Sequence, residues 1–344
     1  ITPTGNVYKD YGNNMFYHKS LTPTTKLQLI FMDVQSICFY VTLYLNKHYS
    51  KIRFSITTLP WRFRMRTFEY IIAPDEASVQ IKSYLKKRGF STRSQILLKN
   101  QENSVLVNGT PVFLTHRLLA GDRLTIRLTE ETSSEHIIPV ELPLDILYED
   151  EDLLVVNKAA GMPIHPSQNN YDNSLGNALA WYFAQKRENF VFRCINRLDR
   201  DTSGLTIIAK NAVSAGILSA MVANKENGIL REYLAIVKGS VTPPEGVIDA
   251  PLSRKNGSII ERMVDFEHGE RAVTHYRVLY EKNGHSLISL ILETGRTHQI
   301  RVHMQYLGFP LIGDYLYNPD MEHMSRQALH AHRLKFCHPI SGQP

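Results

Sequence analysis

Apolar and polar positions in the second half of the chain fall into short strand-like runs. These lie at 153–157, 205–209, 232–237, 273–280 and 286–292, with few long helical patterns between them. Runs this short and this rich in Val, Ile and Leu predict strands. Strands in that order with scattered helices predict an α+β fold built on one sheet. Ile300, Met304 and Leu307 recur at helical spacing after a glycine turn and predict one of the helices.

Ahead of the strands the pattern changes. Val79, Ile81 and Leu85, followed by Lys86-Lys87-Arg88, predict a short amphipathic helix ended by Gly89. Ser94 to Lys99 predicts a second helix. Val105-Leu106-Val107 then runs into an Asn-Gly turn, and Gly121-Asp122 leads into another strand. Residues 65–132 form a small module on this reading, residues 133–143 a polar, Pro-flanked linker, and residues 144–344 the sheet domain. Residues 1–64 have no Ala, no Glu, twelve aromatics and no sustained period, and are read as a non-native or disordered head with Met65 as the true start. Leu27 to Leu45 is largely apolar, but Asp33, Gln35 and Ser36 interrupt it, so no membrane partner is expected.

Charge changes the picture less than its total suggests. The chain carries a formal +6, yet the first 64 residues hold eight Lys/Arg against two Asp, and the remaining 280 hold 31 of each sign. A nucleic-acid partner must therefore rest on local patches and motifs rather than on bulk charge. Cys38, Cys194 and Cys337 are odd in number and far apart, which implies no disulfide framework. His298 with His303, and His330 with His332, lack the accompanying ligands of a metal site, so no metal is expected.

The candidate chemistry centres on Asn196-Arg197-Leu198-Asp199-Arg200-Asp201-Thr202-Ser203-Gly204-Leu205. An aspartate between two arginines lies in a loop just before a buried strand, an accessible group on a rigid support. The flanking cations favour an ionised carboxylate, fit to act as nucleophile or base. The alternative is a surface ion-pair network.

Four motifs in order resemble the RluA-type pseudouridine synthases. Besides the Asp199 loop, with Asn196 where the family has His, they are Asp145 to Lys158 leading into Gly161 and His165-Pro166, the strand Arg231 to Gly239, and Glu293 to His303. Ala159 stands where a proline is usual. The resemblance implies a pseudouridine synthase catalytic domain with a largely antiparallel mixed sheet and a central cleft. It assigns Asp199 as nucleophile, Tyr233 as the residue that packs against the flipped uracil and helps to move a proton, and Arg296 as the partner of Asp199. Arg197 would enter the RNA stack where the target base has left it, since chemistry on a base requires flipping, and Arg200 would join it in binding RNA.

The module at 65–132 resembles the RNA-binding domain of ribosomal protein S-four type, although Val79-Gln80-Ile81 replaces the usual Arg-Leu-Asp. Lys82, Lys86, Lys87, Arg88, Arg93 and Lys99 are its candidate phosphate contacts; a merely solvated basic face is the alternative for each. The family further implies a cytoplasmic, monomeric enzyme without cofactor, acting on large-subunit ribosomal RNA, and a closing strand expected beyond Pro344. Transfer RNA is the other substrate, and a catalytically silent ribosome-assembly protein the rival function.

Overall fold

The computed structural model describes residues 65–344, apart from 131–133, 135, 169 and 225–227. In the head it describes only the backbone of β1 (Met15–Ser20), β2 (Lys26–Met32), β3 (Cys38–Tyr44) and β4 (Ile56–Thr58), an antiparallel sheet of its own. The expectation of a non-native or disordered head otherwise lies outside the described residues.

The small module starts with β5 (Arg64–Ile71) and continues through α1 (Ile81–Lys87) and α2 (Thr92–Lys99). It closes with β6 (Val105–Val107), β7 (Thr110–Pro111) and β8 (Arg123–Glu130). Gly89 has φ +85°, the left-handed turn that ends α1. Ser91 caps α2 by accepting from the Ser94 amide. Ile81, Tyr84 and Leu85 of α1 bury against Phe68, Leu124 and Ile126 of the strands.

The sheet domain has eight strands in the order β13-β16-β17-β12-β18-β11-β10-β9. In chain order they are β9 (Ile146–Glu149), β10 (Leu153–Lys158), β11 (Ser203–Ala209), β12 (Leu230–Lys238), β13 (Glu245–Asp249), β16 (Val273–Lys282), β17 (His285–Leu292) and β18 (Leu329–Lys335). A hairpin of β14 (Leu252–Arg254) and β15 (Arg262–Val264) stands apart. Among the described residues only the β11–β18 pair is parallel, so the sheet is mixed and largely antiparallel, as expected. That pairing depends on Gly204, whose φ is +114° and where a Cβ would meet the Ala331 carbonyl oxygen at 2.3 Å.

Helices cover parts of the sheet. Leu175, Leu179 and Phe183 of α3 (Leu175–Gln185) join Leu154, Val156 and Tyr233 in the largest core. Ile207, Ala209 and Leu153 pack with Leu218 of α4 (Ala212–Ala223). α5 (Gln299–Tyr306) is tied down by buried polar side chains: Gln299 donates to the Val273 carbonyl and the Thr274 hydroxyl, both at 3.0 Å. His303 Nε2 donates to the Ala250 carbonyl, leaving Nδ1 for the Thr274 hydroxyl, each at 2.9 Å.

The module and the sheet domain share one compact unit. Val213 of α4 belongs to the module's core, and Ile217 fills the space where a Cβ on Gly89 would lie, 2.4 Å from its Cγ1. Two forked ion pairs bolt the parts together, Arg66 with Asp152 (3.0 and 2.9 Å) and Arg193 with Glu130 (3.0 and 2.9 Å). The segment read as a linker is itself pinned: Val140 N–H donates to the Asn177 carbonyl at 3.2 Å, and Asn177 donates to the Ile138 carbonyl at 2.8 Å.

Candidate active site

The Asp199 loop is held from behind. The side chain of Asn196 accepts from the Ile207 amide (2.8 Å) and donates to the Leu205 carbonyl (2.9 Å), stapling the loop to β11. An amide does this with one acceptor and one donor, which explains how Asn serves where the related pattern has His. Lys158, at the end of β10 and 1% exposed, spends its ammonium on the carbonyls of Ala159 (2.8 Å), Met162 (2.8 Å) and Arg200 (3.0 Å). Burial pushes its pKa down to about 8, against the pull of Asp201 and Asp199. On the other side Arg326 donates to the Asp201 carbonyl at 3.4 Å, and Gln327 to the Thr202 hydroxyl at 3.3 Å.

Asp199 meets Arg301. Nη1 of Arg301 donates to Oδ2 of Asp199 at 3.0 Å, while Nε and Nη2 grip both oxygens of Asp314 at 2.7 and 2.8 Å. Arg301 is 2% exposed and Asp314 fully buried. Burial works against the guanidinium charge, but the hydrogen bonds and charge of Asp314, with those of Asp199, outweigh it and hold the pKa above the ordinary arginine value. The rings of Tyr317 and Tyr315 lie 5.0 and 5.8 Å from the guanidinium.

This corrects the expected pairing of Arg296 with Asp199. Arg296 is exposed, in an ion pair with Glu270, and its Nε donates to the Arg271 carbonyl at 3.1 Å. The physical reason is the position of the helix start. His298 takes a left-handed conformation (φ +57°) and α5 begins after it, so Arg296 stays in the turn outside while Arg301 occupies the first helical turn facing inward. A cation there is disfavoured by the helix dipole, and two carboxylates offset the cost. The partner that the resemblance assigned to Arg296 is thus held by the arginine five residues on. Arg301 stood in the quoted motif; the cue to its second partner was Asp314, an acid inside the apolar run Leu311 to Tyr317.

Tyr233 is 6% exposed, on β12 between Leu290 and Ala331. The register with β18 shifts between Glu232 and Tyr233, a local irregularity of the kind that re-aims a side chain. Burial pushes its phenol up to about 12, and the Asp199 charge adds to this. His298 Nε2 lies 3.8 Å from Asp199 Oδ2, and its Nδ1 is 2.9 Å from the Tyr317 hydroxyl. Burial lowers the His298 pKa, with Asp199 opposing, which favours the neutral ring. Neither His298, Lys158 nor Arg301 was singled out as a site residue in the sequence.

The expected RNA contacts divide. Arg197 is exposed and makes no hydrogen bond or ion pair among the described residues. Arg200 is exposed but forked onto Asp201, with contacts of 2.8 to 3.1 Å. Lys82, Lys86, Lys87, Arg93 and Lys99 are all exposed on α1 and α2. Arg88 is engaged within the module: it pairs with Glu76 at 2.8 Å, and its guanidinium lies 5.1 and 5.0 Å from the rings of Tyr70 and Tyr84. Asp150, Asp152 and His338 cluster far enough inward to suggest a cation. However, Arg66 and Asn211 occupy the Asp152 carboxylate, and His338 Nδ1 accepts from the Ser341 amide at 3.0 Å. These donors are already committed to the fold.

The RNA pseudouridylate synthase family matches residues 152–306. A Bacillus subtilis protein named Uncharacterized RNA pseudouridine synthase YjbO is 40% identical over 263 residues, 76% of this chain and 92% of the relative. Ribosomal large subunit pseudouridine synthase D of Zymomonas mobilis is 44% identical over 222 residues, 60% of this chain and 69% of the relative. Its namesake in Escherichia coli is 37% identical over 268 residues, 73% of this chain and 80% of the relative. Among solved structures, Human RNA Pseudouridylate Synthase Domain Containing 1 matches with TM-score 0.46 and 29% identity, over 56% of this chain and 78% of that one.

Proposed function

This chain belongs to the RNA pseudouridine synthase family and is an isomerase of RNA uridines; from that premise we propose that Asp199 is its nucleophile and large-subunit ribosomal RNA its substrate. The observation that carries the first part is the one-sided grip on Asp199. Arg301 takes Oδ2 and leaves Oδ1 without a hydrogen bond among the described residues. A carboxylate gripped at one oxygen keeps the lone pairs of the other for attack. The reaction breaks the bond from uracil N1 to ribose C1′ and makes one from C5 to C1′. The proton lost from C5 is balanced by one gained at N1.

Tyr233 keeps its proton at neutral pH, because burial raises the phenol to about 12. It therefore offers the flipped uracil an aromatic surface or a hydrogen-bond donor. Arg197, exposed and uncommitted beside the nucleophile, suits the gap left by the flipped base. The exposed lysines of α1 and α2, with Arg93, form the phosphate face of an RNA-binding module of S-four type. The ribosomal choice of substrate is supported by the names of the Zymomonas and Escherichia relatives, and a cytoplasmic enzyme would fit it. Among the described residues no helix is long and apolar enough to cross a membrane.

The test is Asp199→Asn. It keeps size and shape and removes nucleophile and base together, so pseudouridine formation should vanish while RNA affinity and the unfolding midpoint stay near the parent's. Turnover within about tenfold of the parent would remove Asp199 from this role. Mapping pseudouridine in total RNA with and without the gene tests the substrate; lost sites confined to transfer RNA would refute the ribosomal assignment.

A further inference from the structure

One buried charge beside the reaction site has no counter-charge among the described residues. Arg231 is 5% exposed and lies on β12, two residues from Tyr233 and on the same face. Its Nη2 makes two long hydrogen bonds, to the carbonyls of Leu292 (3.3 Å) and Glu293 (3.4 Å), and its Nε makes none. Burial lowers its pKa from the ordinary arginine value, with only the Tyr233 hydroxyl opposing. The acids nearby are committed elsewhere. Glu293 binds Arg271 (3.2 Å) and His275 (2.9 Å), and Glu270 binds Arg296. A buried cation is ordinarily paired; here three arginines face two carboxylates.

The cover over this charge is one glycine. Gly295 is exposed, and a Cβ on it would come 2.8 Å from Arg231 Nη1, with no other atom but Arg231 Cζ within 4 Å. The turn from Thr294 to Thr297 leads into His298, whose ring stands 3.8 Å from Asp199. The thin place therefore lies at the rim of the reaction site.

We propose that the Thr294–Thr297 turn seats one phosphodiester group of the RNA beside the target uridine, with Arg231 beneath Gly295 as its counter-charge. This rests on the RNA substrate assigned above. A residue without a side chain lets the phosphate approach the backbone closely. Excluding water from that contact strengthens the attraction of the buried guanidinium. A phosphate fixed here sets the register of the strand against Asp199, as backbone contacts do generally.

The test uses the Asp199→Asn protein, which binds without turnover, and a modified fragment of ribosomal RNA. In a series of probes, one linkage at a time around the target uridine is made a neutral methylphosphonate. One linkage should cost about tenfold in affinity in this protein and nothing further once Arg231→Met is added, with the salt slope lower by about one unit. Gly295→Ala keeps the charge but thickens the cover, and should weaken the effect of the same linkage; it serves if Arg231→Met does not fold. A linkage penalty unchanged by both substitutions, or no sensitive linkage near the target, overturns the proposal. Pseudouridine formation by the parent on the unmodified fragment, measured alongside, shows whether the functional assignment still stands when this one fails.

Discussion

Replacing Arg301 with Met removes the shared partner of two carboxylates. Asp314 is fully buried and loses two charge-assisted hydrogen bonds, of 2.7 and 2.8 Å, while Asp199 loses the one of 3.0 Å. Breaking a buried pair from one side costs about 3–5 kcal/mol, because the remaining Asp314 carboxylate is left without solvent or counter-charge and keeps only the Leu316 and Tyr317 amides. The Asp199 contact is part-exposed and adds little to that sum. Equilibrium urea unfolding should therefore show a loss of about 3–5 kcal/mol with an unchanged slope. Adding Asp314→Leu removes the stranded charge and should return at least about 2 kcal/mol, since an apolar pair can replace a buried ionic one. Activity should not return with it, because Asp199 still lacks its donor. The Arg301→Met variant unfolding within about 1 kcal/mol of the parent would refute the energetic reasoning. An active Arg301→Met/Asp314→Leu protein would refute the claim that Arg301 orients the nucleophile.

Other expectations follow from single contacts. Lys158 titrates near pH 8 in the folded protein, and its neutral amine has two N–H groups for three carbonyls. Its folded pKa lies below the unfolded value, so the stability cost of its charge is present below pH 8 and relieved as pH rises toward 10.5. Turnover should fall above about pH 8 as the Asp199 loop loses a tether, and a Lys158→Met pH-rate profile that kept the same alkaline limb would dismiss this account. Replacing Lys82, Lys86 and Lys87 with Ala should weaken RNA binding and flatten its salt dependence, checked by titration at several salt concentrations. Arg88→Ala should act on stability instead, by about 1–2 kcal/mol from its lost Glu76 and tyrosine contacts. Gly204→Ala should cost about 2–5 kcal/mol in unfolding measurements, since Cβ and the Ala331 carbonyl cannot both occupy that space. Arg296→Lys should change turnover less than threefold, and a loss of about a hundredfold would return Arg296 to the reaction site.

The strands of the sheet were legible because their apolar runs are continuous where both faces are covered, as in Leu205 to Ala209. The loop bearing Asp199 was legible for a related reason, since a polar stretch abutting such a run has only one place to go. The guanidinium partner was not. Choosing between Arg296 and Arg301 depends on where α5 starts, and that is decided by the left-handed turn at His298, which no side-chain pattern marks. Lys158 was hidden likewise: its partners are three backbone carbonyls, invisible to any reading of residue types. The contact of the small module with α4 escaped as well, because Ile217 opposite Gly89 joins distant segments whose only local trace is a glycine.

That last contact makes the protein a ruler. With Ile217 lodged against Gly89 and two forked ion pairs alongside, α1 and Asp199 stand at a fixed separation and angle. A tethered module would let its second contact find an RNA of almost any shape, at a cost set by the tether's length. A bolted one has no such freedom. On the roles proposed above, an RNA gripped by the lysines of α1 would bring to Asp199 only those uridines that its own fold holds at the matching span, and neighbouring uridines of identical sequence would be passed over by distance alone.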